Sequence, residues 1–394
     1  MEFDSTQRIF WLKLIITAAI MSGFLLARKL WQSSRSYPTA PFFKKLPIIP
    51  YEGALVVVFS LLLVAVAFAG KPGIYILAFV TLGGLFCLYD QARWQPWFYQ
   101  YLCMLAALGI YFWNEKDPVS EQGVLNTCRL MIVCIYFWSG LQKLNAGFFR
   151  DLFPWLIKPV TKFIPGRSKA LVYRSAYLIP FAEMALAIGL LTPQLRMFAI
   201  PMAIGTHLFI LLCLGPLGHN YNTIIWPWNI AMILFDLVLF WGIGSTGFQE
   251  ILIGHGFIFQ KVILVFFGIM PIFSFLNLWD GQLSFQFYSG NAKYGFIFVK
   301  EAGFNQLPEG LRSQFICNPK LPDLHMLNVL EWSMKELNVP PYPEERVFRK
   351  IARSFCRYGN NDMEISLVVT GKPGLLNGIR PQKVYLRSSL FEGE

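Results

Sequence analysis

The chain has 394 residues, of which 55% are hydrophobic and only 14% charged, with a mean hydropathy of +0.47. Soluble domains carry about 25% charged residues, so this balance excludes a soluble enzyme and a disordered scaffold. The 37 Phe and 12 Trp suit side chains that face lipid or its interface, and the net charge of +11 reads first as membrane topology.

A helix needs about 20 largely apolar residues to cross the hydrocarbon core. Nine runs come near that length: 9–27, 53–70, 73–90, 97–113, 124–141, 170–192, 194–215, 225–243 and 262–279. The connectors Gly70-Lys71-Pro72-Gly73 and Thr192-Pro193 imply tight helical hairpins. The first run opens on Glu2 and Asp4 and ends at Arg28-Lys29, so it reads as a permanent helix rather than a cleaved signal. The expected fold is an all-α polytopic membrane helix bundle of about nine spans over 1–280, with a small C-terminal α+β extramembrane domain over 281–394.

Basic residues gather in 28–52 (Arg28, Lys29, Arg35, Lys44, Lys45) and in 142–169 (Lys143, Arg150, Lys158, Lys162, Arg167, Lys169). The other side receives Lys71, Lys116, Arg196 and Lys261, with Glu115, Asp117 and Glu121. The positive-inside rule then places the basic segments and the C-terminal domain in the cytoplasm, as in a bacterial inner-membrane protein. The segment 148–165 mixes Phe, Trp and Leu with Lys and reads as an amphipathic stretch at the interface.

In the tail, Met326–Leu337 and Pro343–Cys356 have helical spacing, and Met363–Thr370, Gly371–Gly374 and Lys383–Arg387 read as strand, turn and strand. The basic helix there suits anionic lipid or a membrane or soluble protein partner, or is simply a solvated face. Nothing points to nucleic acid. Cys87, Cys103, Cys128, Cys134 and Cys213 fall in spans and act as small apolar residues. Cys317 and Cys356 would pair only in an oxidising compartment. No metal-ligand spacing, P-loop, dinucleotide fingerprint or serine-hydrolase elbow occurs.

A charge at membrane depth costs about 2.5–3.5 kcal/mol on insertion scales and must face protein or water. The candidates are Arg129, Glu183, His207, Asn229 and Asp236. Glu183 follows Pro180 near mid-span, and such an acid is paired, protonated or part of a proton path. His207 either makes a structural hydrogen bond or serves chemistry; Arg129 and Asp236 are equally open between a structural and a functional role. The cluster Gly215–Asn222 followed by Trp226-Pro227-Trp228-Asn229 is either a tight interfacial turn or the mouth of a cavity. In the second case His219, Asn222, Trp226 and Asn229 would contact substrate. In Tyr136–Gly147, Ser139 and Gly140 let another helix approach, and Lys143 continues their stripe. Lys143 is either a cytoplasmic anchor or, in an apolar pocket, a base.

The run Tyr136–Asn145 (YFWSGLQKLN), the mid-membrane His207 and the extended tail together resemble the HTTM superfamily over roughly 50–290. These are membrane proteins related to vitamin K-dependent γ-glutamyl carboxylase, with DoxX-like proteins as more distant kin. The resemblance implies that Lys143 is the base on a reduced quinone, with oxygen and carbon dioxide as co-substrates; in a membrane enzyme of that kind His207, His219 and Glu183 would handle protons and hydrogen bonds. The tail is smaller than the carboxylase's substrate-binding portion, and the loop charges put it on the opposite side of the membrane. Three functions follow: a membrane enzyme acting on a quinol or similar lipid-soluble substrate, a non-enzymatic subunit or anchor docking a partner, and, without a visible internal repeat, least of all a transporter.

Overall fold

A computed structural model describes residues 3–43, 46, 52–113, 119–254, 256–318, 321–358, 364–374 and 377–391. Lys44, Lys45, Glu115, Lys116, Asp117 and Met363 lie outside them, as does the side chain of Arg167.

The first 280 residues are helical. The elements are α1 (Ser5–Leu26), α2 (Glu52–Phe68), α3 (Gly73–Tyr89), α4 (Pro96–Trp113) and α5 (Val119–Gln142), then the single turns α6 (Phe153–Leu156) and α7 (Lys158–Thr161). There follow α8 (Gly166–Arg174), α9 (Ile179–Leu191), α10 (Arg196–Leu214), α11 (Ile225–Phe240), α12 (Phe248–Leu252) and α13 (Ile258–Ile263). The last of these continues with altered pitch to Leu276.

The expectation of nine spans is corrected. Among the described residues four helices are long and apolar enough to cross a membrane: Ser5–Leu26, Glu121–Gln142, Arg196–Leu214 and Ile258–Leu276. A fifth is added if α8 and α9, bent by 52° at Tyr177–Ile179, count as one broken span. The reason is length and polarity. The helices α2, α3 and α11 are short, at 17, 17 and 16 residues, or roughly 25 Å at 1.5 Å per residue. In α4, Gln100 and three tyrosines dilute the apolar run. The outer helices nevertheless present apolar surface, with Leu61, Leu85, Phe181, Ile188, Phe198 and Ile272 all more than half exposed, which is consistent with a membrane protein.

The central helix is α5, with 89% of its apolar stretch buried against 33% for α10. Three buried arginines surround its outer end, and each spends its guanidinium on carbonyls where a helix stops. Arg129 Nε donates to Leu239 O (2.7 Å), Arg8 Nη2 to Trp241 O (2.7 Å) and Arg196 Nη1 to Gly244 O (3.1 Å). Arg129 therefore caps the C-terminus of α11, whose last carbonyls have no intrahelical donor.

The tail folds as one antiparallel sheet in the order β2-β3-β1-β4-β5. Its strands are β1 (Tyr294–Lys300), β2 (Ile316–Asn318), β3 (Leu321–Asn328), β4 (Ile365–Thr370) and β5 (Gln382–Leu386). Between them come the short α14 (Glu301–Phe304) and α15 (Glu309–Arg312), and then α16 (Val329–Leu337) and α17 (Glu345–Arg353). Ile297, Val299, Leu367 and Val369 project from the buried face, where Trp332, Phe348 and Ile351 of α16 and α17 fill the core. The expected helix Met326–Leu337 is shortened at its start. Met326, Leu327 and Asn328 end β3, and the Asn328 side chain accepts from Leu330 N at 3.0 Å as the N-cap of α16.

One contiguous core runs from the bundle into the sheet. At the seam Tyr37 packs on Trp332 (ring centroids 4.8 Å apart), Gln95 Nε2 donates to Pro340 O (3.1 Å) and Asn145 Nδ2 donates to Ser289 O (2.8 Å). Burial lowers Lys372 to about 8 where its amine donates to Ser274 O. Ser36 donates to Glu336, and Arg150 donates to Asn377 O (3.2 Å). Both basic segments, 28–35 and 142–150, therefore lie at the end of the bundle that carries the tail.

Candidate functional site

Four helices converge on one cavity of about 450 Å³ below the seam. From α5 come Tyr136 and Ser139, and Lys143 follows on the same face one residue past the helix end; spacings of three and four keep them in line. Glu183 comes from α9, His207 from α10 and Asn229 from α11. The remaining wall is almost wholly apolar, with Phe148, Leu186, Met202, Trp228 and Met232 among its members.

Gly140 sets the distance between α5 and α9. A Cβ there would lie 2.6 Å from Pro180 O and 3.0 Å from Met184, so only glycine admits this approach. Across the contact, Lys143 Nζ donates to Glu183 Oε2 (2.7 Å), Ser139 Oγ (2.6 Å) and Ser139 O (3.2 Å). The Ser139 hydroxyl in turn donates to Glu183 Oε2 at 3.0 Å. All three side chains are buried. The pair buries no net charge, and its hydrogen bonds offset part of the cost of taking both groups out of water.

One turn before Ser139 on the same helix, the Tyr136 hydroxyl lies 2.7 Å from His207 Nε2 and 2.7 Å from Asp236 Oδ2, and His207 Nδ1 lies 2.8 Å from Asn229 Oδ1. Asp236 stands behind Tyr136, fully buried, and its Oδ1 has no hydrogen-bond partner. Met202, Gly205 and Phe209 of α10 both line the cavity and are exposed on the bundle's outer surface. The flank of α10 is thus the side of the cavity with exposed lining residues.

The other sequence candidates lie elsewhere. His219 stacks on Trp155 (centroids 4.4 Å, planes 15° apart), its Nε2 2.7 Å from Trp155 O, and it does not line the cavity. Trp226 Nε1 donates to Leu214 O at 3.1 Å and also lies off the wall. Asn222 donates to Tyr288 Oη (3.0 Å) and lines a second cavity of about 430 Å³ between the bundle and the tail. Of the two readings of Gly215–Asn222, the tight turn describes the structure. The amides of His219, Asn220 and Tyr221 donate to Cys213, Gly215 and Leu214 carbonyls, closing the end of α10. A Cβ at Gly218 would sit 2.0 Å from Cys213 O, and Asn220 and Asn222 take positive φ.

Sequence reasoning passed over Tyr136 as a proton carrier, because its ring reads as one more aromatic in an apolar run. The signal was its place three and seven residues before Ser139 and Lys143 on one helical face. No group of three His, Cys, Asp or Glu among the described residues is arranged to hold a metal ion. Comparison with family models, with curated proteins and with solved structures finds no match to this chain.

Proposed function

We propose that this chain is an integral membrane protein that draws a lipid-soluble hydroxyl compound of the quinol class from the bilayer and removes its hydroxyl proton at Lys143, Glu183 and Ser139. The observation that carries this is a buried Lys–Glu pair on the wall of a mostly apolar cavity whose few other polar groups include Tyr136, His207 and Asn229. A ligand that is apolar apart from one or two oxygens matches that lining.

The step is a proton transfer in which the substrate O–H bond breaks. In the ion-paired form Glu183 takes the proton; with the pair's own proton already on Glu183, the Lys143 amine takes it. Both routes end with a Lys143 ammonium, a neutral Glu183 and a substrate oxyanion held beside the ammonium. Lys143 is the base in the second route and the electrostatic partner in both. The HTTM resemblance would add oxygen and carbon dioxide as later co-substrates; the geometry supports the deprotonation. The basic segments and the tail share one end of the bundle, which supports a cytoplasmic tail in a bacterial inner membrane. A docking subunit without chemistry would leave its polar groups scattered among separate helix contacts, and Lys143, Glu183, His207 and Asn229 around one cavity weigh against it.

The test uses 1-naphthol, whose anion absorbs at longer wavelength than the neutral form. Titrated into the detergent-solubilised chain, it is expected to bind with the spectrum of the anion, and to lose that spectrum in Lys143→Met. Binding in the neutral form to both proteins, or no binding, would remove the deprotonating role.

A further inference from the structure

The second polar group in the cavity, built on His207, Tyr136 and Asp236, has a minimum hydrogen count that its contacts set. Asn229 Nδ2 donates to Ile225 O at 2.8 Å, and a carbonyl only accepts, so Asn229 Oδ1 is the atom that faces His207. His207 Nδ1 therefore carries hydrogen. Two contacts remain, His207 Nε2 to Tyr136 Oη and Tyr136 Oη to Asp236 Oδ2, and each needs one hydrogen between its heavy atoms. The tyrosine hydroxyl supplies one. The other has only two sources, Nε2 of the imidazole or the carboxyl of Asp236.

We propose that His207, Tyr136 and Asp236 hold at least one shared proton and form the donor group of the cavity, beside the accepting Lys143–Glu183–Ser139 group. With the proton on Asp236, the order is Asp236 O–H to Tyr136, Tyr136 O–H to His207, and Nδ1–H to Asn229. With the proton on His207, the imidazolium donates to Tyr136 and Tyr136 donates to the carboxylate. The two arrangements interconvert by moving two protons along two hydrogen bonds of 2.7 Å. The unpartnered, buried Oδ1 of Asp236 favours the first, because a carboxylate there would leave a bare charged oxygen without a donor.

Both Tyr136 and His207 reach the cavity wall, whereas Asp236 does not, so Asp236 acts through Tyr136. A ligand oxygen beside Tyr136 takes the hydrogen from the tyrosine while the tyrosine oxygen keeps the hydrogen offered by Asp236. Full transfer leaves an Asp236 carboxylate and one of the two contacts without a hydrogen. That discharged state is the less satisfied one and regains a proton. The one-proton minimum stands on the contacts alone; the donor role rests on the function proposed above.

Infrared spectroscopy and NMR of 15N-labelled histidine on the full chain in detergent, without added ligand, test the count. The expected result is a carboxylic-acid carbonyl band lost in Asp236→Asn, together with a neutral His207 protonated at Nδ1. An imidazolium with a carboxylate is the other one-proton form and also supports the count. A neutral His207 with an ionised Asp236 overturns it. Added 1,4-naphthoquinone tests the donor role: one carbonyl stretch is expected to shift down on binding and to return in Tyr136→Phe. A bound quinone with unshifted carbonyls overturns the donor role, whereas failure of the quinone to bind overturns the proposed substrate class and leaves the count intact.

Discussion

Lys143 and Glu183 are each other's solvent. Removing one partner of a buried pair leaves the other charge stranded, at a cost of about 3–5 kcal/mol, whereas replacing both with apolar groups of similar size is often neutral. Lys143→Met and Glu183→Gln should each lower the unfolding temperature in detergent, and a Lys143→Met/Glu183→Leu double variant should recover most of the loss. Additive losses would mean that the two side chains do not depend on each other. Glu183 was legible in the sequence because a charge at membrane depth is expensive and must be accounted for, and Lys143 because it continues the helical stripe of Ser139 and Gly140. His219 lies off the cavity wall, stacked on Trp155, for a physical reason as well. Gly, Pro and Asn serve a turn that wraps a helix end with the same residues that could rim a cavity, and composition does not separate the two.

At the scale of elements, the cavity depends on the close crossing of α5 and α9. The single hydrogen in place of a side chain at Gly140 permits it. Gly140→Ala should push Pro180 and Glu183 away from Lys143, abolish ligand binding and leave the helix content unchanged. Gly84→Ala, where a Cβ meets nothing within 4 Å, should bind normally and gain about 0.5–1 kcal/mol from the helix-forming advantage of alanine. Equal behaviour of the two variants in a ligand-binding assay would contradict the role given to the crossing. Helix positions were readable from apolar runs, but lengths were not. Runs such as 73–90 and 225–243 include flanking residues that turn away before they add length, at Asp90 and Trp241. The strand β1, central to the sheet, went unread because its pairing with β3 and β4 is made with residues far along the chain, and a short alternating run does not announce distant partners.

For the molecule as a whole, the sheet and its helices close the end of the bundle at which Lys143 lies. Gln142 Nε2 donates to Ser274 Oγ, and its Oε1 accepts from Asn291 Nδ2, both at 2.8 Å, one residue from the lysine. Phe287 and Tyr288, next to the sheet in the chain, line the cavity on that side, while Met202, Gly205 and Phe209 on the flank of α10 are exposed, the side from which the proposed function has the ligand enter. This division of labour was invisible in the sequence, which showed a composition change near residue 280 but not which helix ends the tail would cover. The account requires that the cavity be filled from the membrane. Native mass spectrometry of the chain released from mild detergent, followed by extraction of what it carries, measures this directly. One apolar, oxygen-bearing molecule per chain, lost from Lys143→Met and Gly140→Ala while both variants stay folded, is the predicted result. A wild-type chain that carries no such molecule, or variants that hold it as firmly, would contradict the account.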